Sequence, residues 1–217
     1  YYYHMSPTTP FDEVLGNLSK VRILRHLAAG YREETGRRLA KVAQVSQPAI
    51  LRPLQELVEQ GILEKKVRGR SHVFTLNRRN LLVEKGVLPL FDLEGNLFQE
   101  LGKLLRTTFG ETNIDSVLIY GSVARGEATH GSDWDILLLC PNPKKVQEID
   151  KTLPKYLLEW SLLFSTPLDI KTMTTAEYKK KFKSDDKLAK KIYDDFLASR
   201  IPNPLFGKSL TEILGSK

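Results

Sequence analysis

An α+β chain built in two parts is what this sequence predicts: a small unit of helices and a hairpin, then a second unit of short apolar strands with flanking helices. Three observations carry that prediction. Residues 1–80 hold 14 Lys+Arg against 7 Asp+Glu, which is the whole net charge of +7, whereas residues 81–217 hold 19 of each. The basic third reads as successive helices closed by a hairpin, and further on two short apolar strands follow, one broken by Gly-Ser and the next opening on two aspartates. A length of 217 residues allows two modest cores, and 41% hydrophobic with 27% charged residues describes a folded chain rather than a disordered one. No apolar run approaches the roughly 20 residues that span a bilayer, so the expected partner of the basic excess is a polyanion and not a membrane. The single cysteine, Cys140, leaves no internal disulfide and agrees with a cytoplasmic setting. Tyr1-Tyr2-Tyr3-His4 ahead of Met5 is expected to be a cloning remnant at positions 1–4.

In the basic third, Val14, Leu15, Leu18, Val21, Ile23, Leu24 and Leu27 recur at helical spacing, predicting one amphipathic helix from Phe11 to a stop at Gly30. Arg37 to Ala43 reads as a short helix with Leu39, Ala40 and Ala43 inward. Ser46 is a good N-cap for a longer helix that carries Ile50, Leu51, Leu54, Leu57 and Val58 and ends at Gly61. Ile62–Val67 and Ser71–Leu76 are strand-like around the turn Arg68-Gly69-Arg70. A hairpin after a helix-turn-helix is the order of a winged helix, expected over residues 5–80.

Residues 11–78 resemble the winged helix-turn-helix of small bacterial and archaeal transcription regulators. The resemblance implies double-stranded DNA as a partner, with the second helix of the motif in the major groove and the wing on the backbone or minor groove. Carried over by position, Ser46, Gln47 and Arg52 would meet bases or phosphates, and Lys65, Lys66, Arg68 and Arg70 would serve the wing. Between Lys65 and Arg79 there are six basic residues and no acid, a stripe that would release counterions on binding and weaken steeply with salt. Pro53, inside the recognition helix, deletes a backbone donor and crowds the Ala49 carbonyl, so a kink is expected there. The bland alternative is a protein-binding or dimerisation module with a solvated wing. A homodimer is the default for a winged helix on a two-fold site.

Asn80 to Gly95 reads as a connector, with Gly86, Pro89 and Gly95 as punctuation, leaving residues 96–217 as the second domain. Leu97, Leu101, Leu104, Leu105 and Phe109 then give an amphipathic helix. Ser116–Tyr120 is a buried strand interrupted by Gly121-Ser122, and Asp133–Leu139 is the next strand. Residues i and i+2 of a strand share a face, so Asp133 and Asp135 project together with Trp134 opposed. Their repulsion needs a proton or a cation between them, and hard oxygen ligands suit Mg²⁺ or Mn²⁺. Gly121 allows close approach of backbone to a ligand, Ser122 offers a hydroxyl, and the amides of the short helix that follows could face a phosphate. Lys144–Phe164 reads as helical, with Leu157, Leu158, Trp160, Leu162 and Leu163 as its core, and the strand that follows carries Asp169. His26, His72 and His130 lack ligand spacing, Cys140 reads as core, and Lys179-Lys180-Lys181 with Lys183 as a solvated face.

The stretch GSVARGEATHGSDWD, Gly121 to Asp135, resembles the signature of the DNA polymerase beta-type nucleotidyltransferase superfamily, and with Ala124-Arg125-Gly126 it is most similar to the minimal nucleotidyltransferase (MNT) family. Asp169 matches the third carboxylate that family uses, and Ile201–Lys208 its closing tail, so the resemblance covers residues 96–213. It implies a nucleotidyltransferase-fold mixed sheet with helices on one side and two-metal phosphoryl transfer, with Asp133, Asp135 and Asp169 as metal ligands. Gly121, Ser122 and Arg125 would hold the phosphates of a nucleoside triphosphate, ATP being the expected one. In that family one acceptor is a tyrosine of a partner toxin protein, which places a protein beside a small molecule or an RNA end among the candidate acceptors. Two readings follow: a DNA-tethered enzyme moving a nucleoside monophosphate from Mg-NTP to a hydroxyl, or a transcription regulator whose nucleotidyltransferase domain only senses nucleotide.

Overall fold

The computed structural model describes residues 6, 8–30 and 33–215, so the segment expected to be a cloning remnant lies outside the described residues. The chain divides into two compact units at Asn96/Leu97.

The first unit opens with α1 (Pro10–Leu15) and α2 (Leu18–Ala28). The single helix expected here is two, because the Asn17 side chain accepts the Ser19 N–H at 2.7 Å and starts a new helix from an extended backbone. A short strand, β1 (Glu34–Thr35), leads into α3 (Gly36–Ala43), and α3 stops at Gln44 in the left-handed conformation, φ 59°. Then come α4 (Gln47–Glu59), β2 (Leu63–Arg68) and β3 (Ser71–Leu76). The strands form an antiparallel sheet in the order β1-β3-β2, with Lys65 opposite Phe74 and Val67 opposite His72. Three helices and this sheet make the winged helix, closed over Ile23, Leu24, Leu39, Ile50, Leu54, Leu57 and Phe74. α4 runs unbroken through Pro53, whose ring is buried in the same row as Ile50, Leu54 and Leu57. Leu51, expected inward with its neighbours, is 64% exposed.

The stretch expected as a connector is helical. Val83–Val87 form a π-helical turn that runs into α5 (Leu88–Phe109), and Val83, Val87 and Phe91 complete the first core. Pro89 does not break the helix, which runs unbroken from the π-helical turn through it into α5. Gly86 is there for contact, not for a turn, since a Cβ at this position would collide with the Phe11 ring.

The second unit takes residues 97–109 of α5 and adds β4 (Ser116–Tyr120), α6 (Gly121–Arg125), β5 (Trp134–Cys140), α7 (Pro143–Thr152), α8 (Pro154–Leu163), β6 (Leu168–Thr174), α9 (Thr175–Lys183), α10 (Lys187–Leu197), β7 (Phe206–Gly207) and α11 (Leu210–Leu214). Strand order is β6-β5-β4-β7, with β5 parallel to β6 and antiparallel to β4. Alternation splits the strands between two cores. Val117, Ile119, Ile136 and Leu138 meet α5, α7 and α8, while Leu118, Tyr120, Leu137 and Leu139 meet α9, α10 and α11. Helices therefore cover both faces of the sheet, not the one face that the family resemblance implied. The buried run of β4, all five residues, follows from that double cover.

Trp160 packs between Phe109 and Tyr156, but Leu158, Leu162 and Leu163 of α8, expected as core, are 73%, 72% and 66% exposed. Leucines at these spacings circle the helix, and only the Leu157/Trp160 side meets the sheet. Cys140 is fully buried, and burial pushes its thiol up to about 12. Among the described residues no helix is long and apolar enough to cross a membrane.

Candidate active site

The paired register gathers the site at one end of the second sheet. Tyr120 lies opposite Asp135, and Asp135 lies beside Asp169 on the parallel strand, so the three occupy neighbouring rungs about 4.8 Å apart per strand. Asp133 stands just outside β5, two residues ahead of Asp135 and exposed. Trp134 turns the other way, against Phe98 and Phe164, and this anchors the end of β5 that carries the aspartates.

Chain reversal at the end of β4 brings Gly121 over Asp135. Gly121 has φ +74°, and a Cβ there would run into the Asp135 carboxylate, so only glycine fits. Burial first, then the charges of Asp133 and Asp169, raise the Asp135 carboxyl above the usual carboxylate range. Asp169 is partly offset already, since Lys171, two residues on and on the same face, bonds its Oδ2 at 2.7 Å. That bond holds the Lys171 ammonium above the usual lysine range. Among the described residues, no three His, Cys, Asp or Glu side chains stand close enough together to hold a metal ion as they are. The donor chemistry at Asp133 and Asp135 fits a hard divalent cation, and Asp169 would have to exchange Lys171 for the ion to join them.

Two residues at the site had no sequence signal that picked them out. Lys171 was part of the strand that carries Asp169, and nothing about its type announced the pairing. Asp195, in α10, sits 74 residues from Gly121, yet its Oδ2 accepts the Gly121 N–H at 2.8 Å and its Oδ1 accepts from Arg125 Nη1 at 2.6 Å. Arg125 also donates through Nε to Glu127 at 2.7 Å. Ser122, the hydroxyl expected at the phosphates, is half-buried in the first turn of α6.

The residues expected to meet DNA fall on the surface of the first unit. Gln47, Arg52, Lys65, Lys66, Arg68 and Arg70 are exposed. The Ser46 hydroxyl accepts the Ala49 N–H at 3.4 Å and so is engaged as the cap of α4. Three of the cations have acidic neighbours: Arg52 pairs with Glu56 at 2.7 Å, Lys66 with Glu64 at 3.2 Å and Arg68 with Glu33 at 3.2 Å. Val67, near the tip of the wing, is 68% exposed.

The nucleotidyltransferase domain profile matches residues 100–198. A Methanocaldococcus jannaschii protein named as a presumptive protein adenylyltransferase is 34% identical over 73 residues, 32% of this chain and 74% of that protein. Among solved structures, a MarR family transcriptional regulator from Silicibacter pomeroyi aligns with TM-score 0.33 and 18% identity over 46% of this chain and 80% of that one. The adhesin competence repressor of Streptococcus pyogenes aligns with TM-score 0.32 and 17% identity over 66% of this chain and 81% of its own.

Proposed function

We propose, because this chain belongs to the nucleotidyltransferase domain family, that it is a DNA-binding enzyme transferring AMP from Mg-ATP to a hydroxyl acceptor, with a partner protein as the favoured acceptor. The observation that carries the proposal is the juxtaposition of the Gly121-Ser122 turn with Asp135, with Asp169 on the adjacent rung. Asp133, Asp135 and Asp169 would hold Mg²⁺ or Mn²⁺, which supplies positive charge to a triphosphate that three carboxylates would otherwise repel. The chain's own part begins with Ser122, whose hydroxyl donates to the β- or γ-phosphate and aims the triphosphate along the turn. Asp169 takes the proton of the incoming hydroxyl, whose oxygen bonds to the α-phosphorus as the bond to the bridging oxygen breaks, and pyrophosphate leaves with that electron pair.

The preference for a protein acceptor comes from the name of the archaeal relative and from the family resemblance. The preference for DNA comes from the winged helix and from the exposed cations of α4 and the wing. A dimer on a two-fold DNA site is the arrangement that module favours.

The test is incubation with labelled ATP, Mg²⁺ and cell extract, beside Asp133→Asn. Label transferred to a macromolecule and lost in the variant supports the enzyme. Nucleotide binding with neither transfer nor pyrophosphate release identifies a nucleotide-sensing regulator instead.

A further inference from the structure

We infer that Asp195 is a positioning residue that clamps the Gly121–Arg125 turn at its two ends, and that Arg125 serves as its counter-charge instead of touching phosphate. The inference rests on the nucleotidyltransferase reading of the site and names how its phosphate-binding turn is held. Asp195 is only 4% exposed, so its carboxylate must find partners inside the protein. It has two, and they are the two ends of the same turn: the Gly121 N–H at 2.8 Å and the Arg125 guanidinium at 2.6 Å. A third tie comes from the segment just after α10, where the Arg200 N–H donates to the Ala124 carbonyl at 2.8 Å. Gly121 also leaves no room for a Cβ against the Asp135 carboxylate.

The Gly121 residue therefore meets two carboxylates with different duties. Asp135 faces the site, and Asp195 fixes how far the turn stands from it. A buried ion pair is commonly no better for stability than apolar packing of the same shape, which points to geometry as what Asp195 contributes. The arrangement also decides which donors remain for a triphosphate. The Gly121 N–H is spent on Asp195, and Arg125 commits Nε to Glu127 and one Nη1 donor to Asp195, which turns its guanidinium toward carboxylates, while the Ser122 hydroxyl is open to a phosphate.

The experiment uses the full chain in four forms: wild type, Asp195→Asn, Arg125→Gln, and Asp194→Asn as an exposed control on the same helix. Amide hydrogen exchange without nucleotide reads the clamp directly. Binding of N-methylanthraniloyl-ATP with Mg²⁺ reads its consequence. Residues 121–126 should exchange faster in Asp195→Asn and in Arg125→Gln while β4 and β5 stay protected, and affinity should fall in parallel, roughly 10- to 100-fold, as for other groups that orient a ligand-binding residue. The Asp194→Asn control should match wild type in both. Loss of affinity in Arg125→Gln with the turn still protected would make Arg125 a phosphate ligand and overturn the inference. So would unchanged exchange and affinity in Asp195→Asn. Wild type that keeps a protected turn yet binds no nucleotide would instead defeat the reading of the site, and this inference with it.

Discussion

At the scale of single residues, the site is dominated by Gly121 and Asp135, and each supports a prediction. Gly121→Ala must place a side chain at φ +74° and on the Asp135 carboxylate. The backbone conformation alone costs about 1–2 kcal/mol. Thermal unfolding should show that loss, and nucleotide transfer should disappear, because the clash is relieved only by moving the turn or the aspartate. Asp135 works in the other sense. Its folded-state carboxyl lies above the usual range, so the protonated form is favoured, and the stability this represents is lost as pH rises through that raised value. At neutral pH the ionised group is a liability, so Asp135→Asn should raise the Tm of metal-free protein while abolishing any further rise on adding Mg²⁺. A lower Tm in the variant would count against charge crowding. Ser122→Ala should weaken ATP binding by about 1.5–3 kcal/mol, the usual worth of a hydrogen bond to a charged group, in an isothermal titration.

At the scale of elements, α4 is held by a buried charge. Lys20, 4% exposed, donates to Glu56 at 2.7 Å and to the Glu13 carbonyl at 2.7 Å, so α1, α2 and α4 share one ammonium. Lys20 first, and then Arg52, hold the Glu56 carboxyl below the usual glutamate range. The stability from this pairing is present above that usual range and is lost as pH falls through the lowered folded value. Glu56→Ala leaves the buried ammonium without its carboxylate and should destabilise the first unit by about 3 kcal/mol, with its acid-induced melting flattened, as followed by circular dichroism against pH.

Much of this layer is readable from periodicity and caps. Ser46, the β2/β3 hairpin, β4 and the Asp-x-Asp at the mouth of β5 all announce themselves within a few residues. What escapes is whatever depends on partners far along the chain. Leu158, Leu162 and Leu163 look like core because nothing local says which side of α8 meets the sheet. Pro89 and Gly86 look like loop residues because nothing local announces the π-helical turn that runs into Pro89 or the Phe11 ring against Gly86. Asp195 looks like one more charge on an amphipathic helix, since its partners sit 70 and 74 residues away.

At the scale of the molecule, charge and chemistry are divided. The net +7 belongs to the first 80 residues, and the carboxylate site lies in a balanced remainder. DNA affinity should therefore fall steeply with salt, and Arg68→Ala with Arg70→Ala should reduce the slope of log K against log salt by about 2 in fluorescence anisotropy titrations. Transfer by the same double variant should equal wild type. A slope that does not change would place the phosphate contacts elsewhere, and Arg68 has first to exchange Glu33 for a phosphate.

Cys140 gives the whole molecule one more property. As the only cysteine of the chain and fully buried, with burial pushing its thiol up to about 12, it should resist maleimides and iodoacetamide at neutral pH. This chain is thus already a silent background for thiol-directed labelling. A cysteine introduced at Val67 on the wing and another at Leu158 on α8, both exposed, would carry spin labels without any prior removal of native thiols. Their separation, measured with and without DNA or nucleotide, would show whether the two halves of the chain move together.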